Sequence, residues 1–191
     1  MRRAAIVLAA GAARRFGSDK LSADFLGMPL VHHAIRAARG APVERVFVVA
    51  HPALDTGRWN GAPPVETVRM ESAALSDSLR AGLAAASDMD AAFVFLGDMP
   101  LVPRAVAARL ADRLGVGYAA MPRYEGLPGH PVLLARRAFA DLERLQGDAG
   151  AGKLLRSRTD VIYDDCSDPH VLADVDRPSD LARLAGQANS A

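Results

Sequence analysis

The sequence predicts an α/β fold, a mainly parallel sheet flanked by helices and contained in a single domain, residues 1–191. Three observations carry this expectation. Short apolar runs alternate with stretches whose apolar residues recur at helical spacing, the pattern that builds a parallel sheet covered on both faces. The first run opens into a glycine-containing loop, as strands do where ligands gather at the carboxyl ends of such sheets. The chain length suits one hydrophobic core, with 50% hydrophobic and 24% charged residues.

Ala5 to Leu8 reads as a buried strand that leads to Gly11 and a loop ending near Leu21. Leu30, Val31, Ala34, Ile35 and Ala38 form one helical face, with Pro29 in the first turn. Val46 to Ala50 is β-branched and aromatic and reads as a second strand. His51 to Pro64 holds three of the 12 prolines and reads as irregular chain, and Val65 to Met70 as a third strand. Leu75, Leu79, Gly82 or Leu83, and Ala86 mark a helix that Ser76 or Asp77 could cap. Ala92 to Leu96 is another strand, broken by Gly97-Asp98-Met99-Pro100, and Val102, Val106, Leu110 and Leu114 mark the helix after it. Tyr118 to Met121 and Val132 to Leu134 read as strands around the turn-rich stretch Pro122 to Pro131, with a helix from about Arg137 to Leu145. A short helix near Lys153 to Arg156, strands near Val161 to Tyr163 and Val171 to Asp174, and a last helix from Ser179 complete the order.

Charge and cysteine content narrow the function classes. With 23 basic and 22 acidic residues the formal net charge is +1, which argues against a nucleic-acid surface. The single cysteine, Cys166, forms no internal disulfide, and a reducing cytoplasm fits best. Met1-Arg2-Arg3 before the apolar run Ala4 to Ala10 imitates a short secretion signal, but cleavage there would remove a strand and the glycine loop. No apolar run approaches the roughly 20 residues that span a bilayer, so a membrane is not an expected partner.

Three segments carry chemistry. In Leu8-Ala9-Ala10-Gly11 and onward to Arg15, Gly17 and Lys20, small residues let the backbone approach a ligand, free amides meet phosphate oxygens, and arginine and lysine add positive charge. The segment is neither a Walker loop nor the three-glycine dinucleotide fingerprint, which counts against an ATPase and a nicotinamide-dependent oxidoreductase. Asp98, just beyond an apolar strand, could hold a magnesium ion or simply cap a turn. Asp174 and Asp176 share one face of an extended chain and could complete a metal site. Equally, Asp176 could cap the last helix and Asp180 serve as its first-turn charge.

Gly11, Arg15, Gly17 and Lys20 stand at the spacing of the signature loop of the MobA-like nucleotidyltransferases, a family that includes molybdenum cofactor guanylyltransferases and cytidylyltransferases. Phe95-Leu96-Gly97-Asp98-Met99-Pro100 resembles its metal-binding turn, and Asp174-Val175-Asp176-Arg177 its closing metal-binding stretch, with Arg177 where threonine is usual. The resemblance covers nearly the whole chain. It implies a Rossmann-like, nucleotide-diphospho-sugar transferase-like fold and a transfer dependent on Mg²⁺. Leu8, Ala9, Ala10, Gly11, Arg15, Lys20, Ser76 and Ser78 would then bind the nucleotide, Arg15, Lys20 and Asp98 would be catalytic, and Asp98 with Asp174 or Asp176 would hold metal.

Gly129-His130-Pro131 and Gly147-Asp148-Ala149-Gly150-Ala151 resemble the cytidylyltransferase branch, which places His130 and Asp148 on the acceptor side. Beyond the second motif the branch usually has arginine. Here Gly152 stands at that position, so a cation would have to reach from Lys153. Ala9-Ala10-Gly11 also resembles this branch, whereas the guanylyl branch usually has two adjacent glycines. The resemblance therefore implies CTP as nucleotide, a molybdopterin-type cofactor as acceptor and a molybdoenzyme as recipient of the product. The alternatives are the same fold acting with GTP or another nucleotide on a different phosphorylated acceptor, and a noncatalytic module that delivers cofactor.

Overall fold

The computed structural model describes residues 1–11, 19–71, 74–144 and 151–188. The strands are β1 (Arg3–Ala9), β2 (Asp24–Phe25), β3 (Met28–Pro29), β4 (Arg45–Ala50), β5 (Val65–Arg69), β6 (Ala91–Leu96), β7 (Ala119–Tyr124), β8 (Leu127–Pro128), β9 (Val132–Ala135) and β10 (Val161–Asp165). The helices are α1 (Leu30–Arg39), α2 (Leu75–Ala85), α3 (Arg104–Arg113), α4 (Arg136–Glu143), α5 (Ala151–Arg156) and α6 (Pro178–Ala188).

The main sheet runs β10-β7-β9-β6-β1-β4-β5, with β8 paired to β7, while β2 and β3 form a separate hairpin. β1 lies between β4 and β6 and is parallel to both, and β4 is parallel to β5. The expected α/β, mainly parallel sheet flanked by helices is thus present. Because β1 is followed by strands on opposite sides of it, the chain reverses direction across the sheet there. Crevices for ligands open at such switch points, outside the carboxyl ends of the strands.

Both faces of the sheet are covered, which explains why its central strands are apolar throughout. Alternate side chains separate into two layers. Ala5, Val7, Val46, Val48, Phe93 and Phe95 pack with α1 and α3 on one face. Ala4, Ile6, Phe47, Val49, Ala92 and Val94 pack with α2 and α4 on the other. Ile6 and Phe93 are fully buried, and removing side chains of this size from water contributes about 2 kcal/mol each.

Four features depart from the sequence expectations. β9 is antiparallel to both β6 and β7, because it returns directly from the β8 turn without a crossover helix. The β2–β3 hairpin falls inside what read as loop. Its turn is formed by Leu26 and Gly27, both with positive φ. Residues 171–174 form no strand. Asp168 accepts a hydrogen bond from the His170 amide, Pro169 fixes the first turn, and Pro169–Leu172 is a 3-10 turn. Finally, Ser76 and Asp77 do not cap α2. The cap position is Ala74, Ser76 and Ser78 are buried within the helix, and Asp77 pairs with Arg80.

Asp164 on β10 is buried and bridged by Arg109 and Arg113 of α3. Burial alone would push its carboxyl up, but the two guanidinium hydrogen bonds outweigh burial and hold it below the ordinary carboxylate range. A depressed folded-state value stabilises the protein above the unfolded-state value and loses that contribution as pH falls through the folded-state value. Asp164→Asn is therefore expected to lower the melting temperature at neutral pH and to flatten its decline in acid. Thermal melts between about pH 7 and pH 3 check this; parallel melting curves for the two proteins would count against the pairing.

Candidate functional site

The crevice is built where β1 and β6 end. Ala9 and Ala10 are buried, Gly11 opens to solvent, and the Gly97 amide donates to the Leu8 carbonyl at 2.9 Å. A Cβ on Gly97 would lie 3.0 Å from that carbonyl oxygen, so a residue without a side chain lets the turn after β6 lie against β1. This close approach presents Asp98 to the loop that follows β1.

Lys20 comes from the other end of that loop, at the start of a 3-10 turn anchored by buried Leu21. Its Nζ donates to Asp98 Oδ2 at 2.8 Å and lies 3.7 Å from Asp176 Oδ1. The Asp174–Asp176 stretch is fixed alongside, because the Val175 amide donates to the Asp98 carbonyl at 3.0 Å. Upstream, the His130 amide donates to the Val171 carbonyl at 2.8 Å. The chain from 171 to 175 is thus a strap tied at one end to His130, just before β9, and at the other to Asp98. Asp180 has a local role: its side chain accepts from the amides of Asp176 and Arg177 at the start of α6.

Electrostatically the crevice suits a cation. Asp98 Oδ1 is buried without a hydrogen-bond partner among the described residues, an arrangement that is costly unless positive charge satisfies it. Burial, and then the nearby charges of Asp98 and Asp176, push the Asp174 carboxyl up. An all-carboxylate donor set is that of a hard divalent ion. Among the described residues, no three acidic, histidine or cysteine side chains gather closely enough to enclose one. A magnesium ion needs no such cage, since one or two carboxylates with substrate phosphates commonly hold it. The residues present therefore fit a divalent ion that shares its ligands with a phosphorylated substrate.

Three cavities meet at Leu96. The first, about 230 Å³, is lined by Leu8, Gly11, Lys20, Leu21 and Asp98. The second, about 180 Å³, has apolar walls that include Leu79, Met121 and Leu155, with Ser76, His130 and Arg156 as its polar groups. The third, about 240 Å³, reaches Gly129, His130, Leu172 and Asp174. His130 separates the second cavity from the third. Burial holds its ring below the ordinary imidazole pKa, so it is neutral at neutral pH, and Nδ1 faces the Val94 carbonyl at 3.5 Å.

Of the residues singled out in the sequence, Leu8, Gly11, Lys20 and Asp98 line one cavity, and Asp174 and Asp176 stand beside it. Arg15, Gly17 and Asp148 lie outside the described residues. Ser78 is buried and lines none of the three cavities. Ser76 and His130, assigned from the sequence to opposite substrates, share the second cavity, and the Ser76 hydroxyl is buried without a hydrogen-bond partner among the described residues. Lys153 is exposed and does not line that cavity; Arg156 does. Sequence reasoning missed Arg156 and Leu96. Gly152 was the available signal, since a Cβ there would lie 3.0 Å from the Arg156 guanidinium.

Comparison with known proteins places this architecture. Residues 5–161 match the MobA-like NTP transferase domain. Over 92 residues, 44% of this chain, the sequence is 39% identical to 2-C-methyl-D-erythritol 4-phosphate cytidylyltransferase of Dechloromonas aromatica, 40% of whose length is covered. The chain spans less than half the length of the curated relatives it matches. The crystal structure of the Rv0371c homolog from Mycobacterium sp. strain JC1 superposes with a TM-score of 0.84 at 27% identity, covering 100% of this chain and 99% of that one. Rv0371c of Mycobacterium tuberculosis in complex with manganese superposes with a TM-score of 0.76 at 25% identity, covering 97% and 99%.

Proposed function

The chain belongs to the MobA-like NTP transferase family, and from that premise we propose that it transfers CMP from CTP to the phosphate of a molybdopterin-type cofactor, with Mg²⁺ as cofactor and pyrophosphate as the second product. The observation that carries this reading is the convergence of Lys20, Asp98 and the Asp174–Asp176 strap at the carboxyl ends of β1 and β6.

The reaction is a single displacement at phosphorus. An oxygen of the acceptor phosphate bonds to the α-phosphorus of the triphosphate, the bond from that phosphorus to the α,β-bridging oxygen breaks, and pyrophosphate leaves with the electron pair. The acceptor phosphate is largely ionised near neutrality, its second pKa being about 6, so no protein base has to remove a proton. Lys20, and Arg15 from the sequence resemblance, donate to the phosphate oxygens as negative charge shifts toward the leaving group. Asp98, together with Asp174 or Asp176, would hold the divalent ion, which supplies further positive charge to those oxygens. Neutral His130 orients a ligand rather than exchanging a proton.

Two features support the choice of substrates. Ala10 stands where the guanylyl branch usually has glycine, and the resemblance of Ala9-Ala10-Gly11 to the cytidylyl branch favours CTP. Among the described residues that line it, the second cavity has apolar walls, one serine hydroxyl, one neutral imidazole and one guanidinium, and no carboxylate. That composition suits a flat heteroaromatic ring carrying phosphate better than a polyol. The product would pass to a molybdoenzyme in a reducing cytoplasm, and no helix among the described residues is long and apolar enough to cross a membrane.

The test is a pyrophosphate assay with purified protein, Mg²⁺ and CTP, GTP or ATP, each with and without molybdopterin cofactor. Release that depends on the acceptor and is fastest with CTP is expected. A preference for GTP would overturn the nucleotide assignment, and no acceptor-dependent release with any nucleotide would sink the enzyme reading in favour of a delivery module.

A further inference from the structure

The position of Lys20 bears on the form in which the divalent ion arrives. Its side chain is only 13% exposed, and the ammonium lies within reach of both Asp98 and Asp176, the two carboxylates it pairs with among the described residues. It takes Asp98 Oδ2 at hydrogen-bond distance and leaves Oδ1 of the same carboxylate buried without a partner among the described residues. A divalent ion on Asp98 would share that carboxylate with the ammonium, and two cations on one small anion repel. A magnesium ion also demands near-ideal octahedral coordination and gives up its waters reluctantly, so one contested carboxylate is a poor site for it. Triphosphate changes both conditions. Its oxygens supply the missing ligands, and they offer Lys20 a stronger anionic partner in the same cavity, which Lys20 lines together with Gly11.

From this arrangement we infer that docked Lys20 excludes the bare divalent ion from Asp98, so that the ion enters as a metal–triphosphate complex, the nucleotide drawing Lys20 off the carboxylate as it binds. The inference rests on Asp98 being a metal ligand, as the proposed function has it. It assigns Lys20 two successive partners, Asp98 before substrate binds and phosphate oxygen afterwards. The ammonium is thus the resident counter-ion of the acidic crevice.

Binding of Mn²⁺ alone, followed by electron paramagnetic resonance without nucleotide, tests this in the full-length protein. Lys20→Met is expected to bind Mn²⁺ at least tenfold more tightly than the wild type, with Lys20→Gln behaving alike and Lys20→Arg, which keeps the charge, staying near the wild type. Adding Asp98→Asn to Lys20→Met should abolish the gain, locating it at Asp98. Equal Mn²⁺ affinity in the wild type and both neutral variants would overturn the inference, as would a gain that survives Asp98→Asn. No turnover enters the measurement. Failure of the pyrophosphate assay would leave the Mn²⁺ result standing, and unchanged Mn²⁺ affinity in a protein that turns over would remove only this exclusion.

Discussion

Asp98→Ala is expected to lower turnover by on the order of a thousandfold or more while leaving the fold intact, since charge stabilisation of the transition state at such sites is worth several kcal/mol. The side chain is the partner of Lys20 and carries a buried oxygen without a hydrogen-bond partner among the described residues, so its removal takes away both the cation's place and the group that positions the ammonium. The fold survives because the backbone, not the side chain, ties the turn: the Asp98 carbonyl accepts from Val175, and the Gly97 amide donates to Leu8. Steady-state rates together with a melting curve check the prediction. Turnover that persists at ordinary Mg²⁺ would show that the carboxylate holds no metal.

Gly129→Ala should be the most damaging small substitution outside the acidic crevice. An added Cβ would overlap the Val171 carbonyl oxygen, and it would lie 2.9 Å from the carbonyl carbon and 3.1 Å from Leu172 Cδ2. Two of these obstacles are backbone atoms, so the strap has to move rather than a side chain turn aside. The hydrogen bond from the His130 amide to Val171 would be lost with that movement, and the strap carries Asp174 and Asp176 toward Asp98. Overpacking of this kind costs about 1–3 kcal/mol, which in a chain of this size lowers the melting temperature by roughly 3–10 °C. Turnover should fall at least tenfold as well, because the carboxylates shift with the strap. A wild-type melting temperature and rate would mean that the strap does not position the site.

The first half of the chain was legible because its strands and helices are simple cases. β1, β4 and β6 are buried on both faces and therefore read as unbroken apolar runs, and α1 shows one apolar face over ten residues. The second half was harder for physical reasons. Hydrophobic periodicity encodes burial, not strand direction, so the antiparallel placement of β9 was invisible. Val171 and Leu172 read as strand because they are apolar, yet Pro169 and the Asp168 side chain fix a 3-10 turn there and the strap bonds to loops instead of a ladder.

At the site, residue types and their spacing pointed to Lys20 and Asp98 separately. Their contact joins positions 78 residues apart and comes from the adjacency of β1 and β6, which no local pattern expresses. For the same reason Ser76 and His130 were assigned to different substrates, although α2 and the entry to β9 bring them to one cavity. Ser76 misled as a cap candidate because serine is as compatible with a buried helix position as with a helix start.

The fate of an isotopic label tests the central claim, transfer of a nucleotidyl group at this crevice, most directly. Protein, Mg²⁺ and acceptor are incubated with CTP labelled with ³²P at either the α- or the γ-phosphate, and the acceptor product is isolated. The account predicts that α-label appears in the product and that all γ-label leaves as pyrophosphate. Recovery of γ-label in the acceptor would make the reaction a phosphoryl transfer and contradict the account.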